Sequence, residues 1–276
     1  MRGKSRTVID PRHVPHPHAT PHPAHLGGVG FFTLLIVGIS YKLIPMFTLS
    51  EVQSRRRAAL SVALLNLGLA GSFVTILLRS PWKLAFALVV MAALAIYGWE
   101  LAAILRARKR RSLGWGLRYF LTAVTLLIPL SLLSFVLSWP GLPLNPFMGQ
   151  LENLYGFLGL VAMVSFAIMG MLCKIIPFLV WFGVYSQHIG RARVPSLADL
   201  YSPRLQMAGY WSFLGGLVAI SAGILLQSES VVRIGSLLYT TSVVVLLINV
   251  GKILTHALRP KITPLISPVP AGKIST

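Results

Sequence analysis

The chain has 276 residues, 55% of them hydrophobic and only 11% charged, with a formal net charge of +19. Soluble domains carry about 25% charged residues, so a soluble fold is excluded, because its surface would lack charge. The Lys and Arg residues flank long apolar stretches. The excess charge therefore reads as membrane topology and contact with anionic lipid headgroups, and nucleic acid is excluded as a partner. A single cysteine, Cys173, lies in an apolar segment. It excludes a disulfide framework, an iron–sulfur cluster held by this chain alone and covalent c-type haem attachment.

In chain order, residues 1–25 form a polar tail with His13, His16, His18, His22 and His25 among interleaved prolines. Proline keeps such a segment extended. No small-residue cleavage pattern follows it, so no cleaved signal is expected. Residues 26–258 then predict an all-α, polytopic membrane domain of seven transmembrane helices, at about 26–48, 58–79, 82–105, 117–138, 155–185, 205–227 and 232–257. Each is long enough to cross about 30 Å of hydrocarbon, and the fifth can tilt or protrude. Pro81-Trp82 marks a tight turn, and Trp139-Pro-Gly-Leu-Pro-Leu-Asn-Pro146 reads as a loop rich in helix breakers. Residues 259–276 form a terminal tail.

The connectors alternate in charge. One side carries Arg55-Arg56-Arg57, the cluster from Arg106 to Arg111, then Arg191, Arg193 and Arg204, and finally Arg259 and Lys261. The other side carries only Arg79, Lys83 and Arg233 in its loops. Basic connectors stay inside, so the expected orientation is N-out and C-in, in a bacterial cytoplasmic membrane. The basic tail residues Arg2, Lys4, Arg6 and Arg12 oppose that assignment and are outvoted.

Spans one and five share a pattern. Gly38-Ile-Ser-Tyr-Lys42-Leu-Ile-Pro45 aligns with Gly170-Met-Leu-Cys-Lys174-Ile-Ile-Pro177, and Gly27 and Gly159 keep the same offset. Both spans run in the same direction, so they would form a parallel internal repeat. The prolines are expected to kink or end their helices near the inner interface. Lys42 and Lys174 lie about one turn earlier, and Glu100 sits at a similar depth on the third span. A buried Glu is costly alone, so pairing with one of these lysines is expected. The trio would serve as an ion-pair cluster or a quinone or lipid site, while snorkelling of the lysines to the headgroups remains the alternative.

The run Ala24-His25-Leu26-Gly27-Gly28-Val29-Gly30-Phe31-Phe32, followed by Gly38, Tyr41 and Pro45, resembles a helix of haem-copper oxidase subunit I, nearest the C-type oxidase and nitric oxide reductase branch. In that family a histidine pair opens this helix, its second member ligating the low-spin haem and its first belonging to the active-site haem. His25 matches the second position and Pro23 occupies the first. No histidine stands in the outer half of the other spans, so the family's copper ligands have no counterpart. The resemblance implies a catalytically incomplete relative, able at most to hold one b-type haem. His25 would be one axial ligand, and His22 or a group from another subunit the other. Phe157, at the repeat-equivalent position, does not ligate.

Three functions stay open at this point. One is a membrane subunit of a respiratory-type electron-transfer complex, with other membrane subunits and a c-type cytochrome as partners. The second is copper handling through His13, His16 and His18 of the outer tail, whose spacing suits weak metal binding. The third is a cofactor-free structural or assembly subunit. No nucleophile–base–acid set or nucleotide loop is present, and no interrupted helix pair with polar mid-depth residues suggests a transporter.

Overall fold

A computed structural model describes residues 23–78, 80–110, 112–142, 145–190 and 192–264. Among them, seven helical spans are long and apolar enough to cross a membrane. The helices are α1 (Pro23–Thr48), α2 (Arg55–Leu77), α3 (Lys83–Arg106), α4 (Trp115–Thr125), α5 (Leu127–Leu137), α6 (Pro146–Gly156), α7 (Met163–Tyr185), α8 (Pro203–Leu226) and α9 (Glu229–Leu258). A π-helical segment, Phe157–Ala162, joins α6 to α7. Polar and apolar positions are distributed opposite to a soluble protein. Glu100, Ser242, Asn249 and Ser40 are buried, whereas Phe31, Trp99, Ile128, Leu179 and Leu247 are exposed. Such a surface is stable only against lipid, so the chain is a multi-pass membrane protein.

Two spans depart most from the expectation, each for a local reason. The fourth is one span in two helices, broken at Leu126. Pro129 has no N–H to donate to the Thr125 carbonyl and its ring crowds that group, so the ladder is interrupted there. The fifth begins at Pro146 rather than near residue 155 and continues to His188. The last proline of the supposed loop is the first helical residue. Asn145 caps the helix by accepting from the Met148 amide at 2.9 Å. Asn followed by Pro at the first helical position is a start signal, and proline costs nothing there because that N–H has no partner in any helix. The second span also starts earlier, at Arg55, because Ser54 accepts from the Arg57 amide and caps it.

Two antiparallel hairpins, α2–α3 and α8–α9, flank a centre formed by α1, α4 and α7. Close approach rests on residues without side chains. A Cβ on Gly170 of α7 would lie 2.7 Å from the Gly116 carbonyl oxygen of α4 and 2.8 Å from the Phe120 nitrogen, so the two backbones touch. On α8, Gly209, Gly216 and Gly223 recur every seventh residue along the face that meets α9. Ser242 closes the same crossing by donating to the Gly209 carbonyl at 2.7 Å. At the centre, Phe166 of α7 meets Phe213 of α8 at 4.4 Å between ring centroids, and Phe213 meets Tyr239 of α9 at 3.9 Å.

The basic connectors lie on one face. Thr48, at the end of α1, accepts from the backbone amides of Lys109 and Arg110, joining the first and third connectors. The Lys174 ammonium group packs against Gly114. The connector after α7 forms a short strand β1 (Ala192–Arg193), which pairs antiparallel with β2 (Thr263–Pro264) beyond α9. A second apolar cluster, centred on Tyr185, Leu200 and Ile253, supports that pairing.

Candidate functional site

The most elaborate polar site lies where α1, α2 and α3 reach the basic face. Glu100 is fully buried on α3. One carboxylate oxygen accepts from the Ser54 amide at 2.8 Å, and the other from Arg57 Nε at 2.7 Å. The carboxylate thus sits at the start of α2, where unpaired amides and the helix dipole favour negative charge. The Arg57 guanidinium lies 5.7 Å from the Trp99 ring centroid, placing the cation against an aromatic face. Glu100 is therefore neutralised by Arg57, and not by Lys42 or Lys174 as expected. The start of α2 brings an arginine and the Ser54 amide to it, whereas Lys42 is exposed and Lys174 packs against Gly114.

Hydroxyl pairs continue from this site into the span. Tyr41 OH pairs with Ser61 Oγ at 2.7 Å. Tyr97 OH donates to Ser40 Oγ at 2.7 Å, and Ser40 donates to the Val37 carbonyl. The Tyr41 and Tyr97 rings meet edge to face at 5.4 Å. Each buried hydroxyl is thereby satisfied, which keeps a polar thread tolerable inside an apolar bundle.

Lys42 is exposed on α1. Lys174 is half-buried on α7, its ammonium 5.5 Å from the Phe47 ring centroid. The structure therefore does not gather Lys42, Lys174 and Glu100 into one cluster. Pro45 lies inside α1, three residues before its end, but α7 runs on for two further turns past Pro177.

Of the histidines, His13, His16, His18 and His22 lie outside the described residues. His25 is on the described backbone of α1, whereas its side chain lies outside what is described. On the basic face, His256 Nδ1 pairs with Tyr185 OH at 3.1 Å, and the Lys261 amide donates to the same hydroxyl at 3.2 Å. Nearby, Ser196 and Asp199 form a capping box. The hydroxyl and amide of Ser196 both donate to Asp199, holding its carboxyl below the ordinary carboxylate range. Among the described residues no three His, Cys, Asp or Glu side chains converge as a metal site.

The opposite face carries a cleft of about 550 Å³ between the start of α6 and the α8–α9 turn, lined by Gln150, Asn153, Gln227, Glu229 and Arg233 among others. Glu229 and Arg233 pair at 3.2 Å across one helical turn.

Sequence reasoning missed Arg57 as a site residue because it stands in a run of three arginines that serves topology. Its position three residues after the helix-capping Ser54 was the available signal. The cleft was missed because the fifth span is expected from the sequence only from about residue 155, which leaves residues 147–154 outside any helix. No protein family, curated protein or solved structure matches this chain.

Proposed function

We propose that this protein is a membrane subunit of a respiratory-type electron-transfer complex in a bacterial cytoplasmic membrane, without a haem–copper catalytic centre. The basic face would lie in the cytoplasm and the head of α1 outside, consistent with the concentration of Arg and Lys on one set of connectors. Spans one and five would be a parallel repeat. The observation that carries the reading is the glycine-rich apolar pattern that follows His25 at the head of α1 and resembles the haem-bearing helix of oxidase subunit I.

The donor set fits one axial position of a b-type haem and not two. His25 supplies a suitable imidazole, and Gly27 leaves room beside that turn, since a Cβ there would have nothing within 4 Å. The second ligand would have to come from His22 or from a neighbouring subunit. A haem so held supplies one-electron transfer near the outer face, which would make a c-type cytochrome and further membrane subunits the natural partners. The protein's contribution is the imidazole, the apolar surroundings and the orientation of the helix.

The test is a reduced-minus-oxidised visible spectrum of the purified full chain. A haem α-band is expected, and it should be lost in His25→Ala. A band that survives that substitution refutes ligation by His25. Absence of a band, with copper that co-purifies and is lost on deleting residues 11–23, would instead support copper handling by His13, His16 and His18. Absence of both, with recovery only alongside partner subunits, would support a structural subunit.

A further inference from the structure

Lys174 is half-buried as a residue, and among the described residues its ammonium, with three donors, forms no ion pair and no hydrogen bond. The described carboxylates are engaged or elsewhere. Glu100 is held by Arg57, Asp199 by Ser196 and Glu229 by Arg233. Glu51 is exposed on the first connector, and Glu152 is near the opposite face. Three carbonyls at the end of α1 are also taken. Ile44 accepts from the Thr48 hydroxyl, Pro45 from the Ser50 amide, and Thr48 from the Lys109 and Arg110 amides. Those last two bonds hold the Arg110 backbone at the end of α1, where the Phe47 ring faces the Lys174 ammonium at 5.5 Å, so this end of the bundle gains a second cation rather than a counter-ion.

The surroundings select the same sign of ligand. The Lys174 ammonium presses on Gly114, the residue before α4, where a Cβ would lie 2.8 Å from it. Gly114 provides no side-chain cap, and the first turn of α4 contains no acid. Arg118 follows at once, its guanidinium 4.3 Å from the Trp115 ring centroid. A helix start favours anions and is normally capped by one. Here the side chain pressed against it is the Lys174 ammonium. An anion with several acceptor oxygens would satisfy the lysine, the arginine and the free α4 amides together.

We propose that Lys174, Arg110 and the start of α4 form a phosphate-binding site that takes the headgroup of an anionic phospholipid. A lipid is the favoured source of the phosphate because the site lies at the end of three spans. Beside it, Met46, Phe178 and Leu179 are exposed apolar side chains suited to acyl chains. The proposal is independent of any haem and of the partner complex.

Native mass spectrometry of the full chain, extracted in detergent with equal amounts of phosphatidylglycerol and phosphatidylcholine, tests it. The wild-type chain should retain phosphatidylglycerol preferentially. Lys174→Gln should reduce that retention about fivefold, the change expected for removing one cation from a headgroup site. Lys174→Arg should keep it, and Lys42→Gln, at an exposed lysine, should leave it unchanged. Gly114→Ala preserves every charge but displaces the ammonium, so it should also lower retention. An unchanged helical circular dichroism spectrum confirms folding of each variant. Equal retention by Lys174→Gln and wild type, equal retention of the two lipids, or stripping of the lipid by millimolar inorganic phosphate would each overturn the proposal.

Discussion

At Glu100 a buried carboxylate is satisfied by one side chain and one backbone amide, and these two bonds have unequal weight. Removing Arg57 leaves a fully buried charge without its cation, which costs about 3 kcal/mol. Glu100→Gln keeps an acceptor for the Ser54 amide and removes the charge itself, so it should cost about 1–2 kcal/mol. Arg57→Ala is therefore expected to lower the thermal midpoint in detergent further than Glu100→Gln does. The reverse order would mean that the ion pair contributes little. A second residue-scale effect depends on pH. The Asp199 carboxyl titrates below its ordinary value because Ser196 donates to its charged form. The stability it gives the connector is complete above the ordinary carboxylate value of about 4 and disappears as pH falls through the lowered one. Pepsin cleavage between residues 189 and 202 should therefore rise at the acid end of the range, and Ser196→Ala should move that rise to higher pH. That Glu100 needed neutralising was legible in the sequence, because a lone acid in an apolar span always does. Its partner was not, because a run of arginines at a membrane boundary carries a topological reason of its own.

At the scale of elements, the aligned glycines Gly38 of span one and Gly170 of span five have opposite environments. Gly170 sits where α4 and α7 touch, while a Cβ on Gly38 would meet nothing within 4 Å. Gly170→Ala should thus destabilise the fold by about 1–3 kcal/mol through forced separation of the helices. Gly38→Ala should leave it unchanged or raise it by up to about 1 kcal/mol, the ordinary gain of Ala over Gly in a helix. Thermal unfolding of the two variants side by side decides the matter. The seven spans were legible from length and hydropathy, since each apolar run had to be at least as long as the bilayer is thick. Their ends and breaks were less so. Pro129 and Pro146 are the same residue type with opposite effects, one interrupting a helix and the other opening it. The difference lies in whether an N–H was needed at that position. The glycine row of α8 was also present in the sequence, but seven-residue spacing identifies a helix face without naming the neighbour it meets.

For the molecule as a whole, orientation was legible only as a charge imbalance. The fold adds that all four basic connectors share one face. The lone cysteine is buried, which makes labelling practical. Ser196→Cys should react with a membrane-impermeant maleimide only after cells are opened, and Ser228→Cys in intact cells; the opposite pattern would invert the topology. The π-helical segment has a consequence at this scale. Pro146 shares a cleft with Glu229, and Tyr185 is bonded to His256. Between those levels α9 is about 40 Å long, whereas the chain from Pro146 to Tyr185 has a contour of about 58 Å. Phe157 before the π segment and Phe166 after it both reach the Tyr239–Phe213 pair. A single π turn takes up only about one residue, so most of that difference reflects tilt or bending of this span relative to α9, and the π segment supplies a place for the bend. Shortening it by one residue would turn α6 by about 100° about its axis. The cleft at its far end would then present a different set of side chains, with no residue of the cleft itself altered.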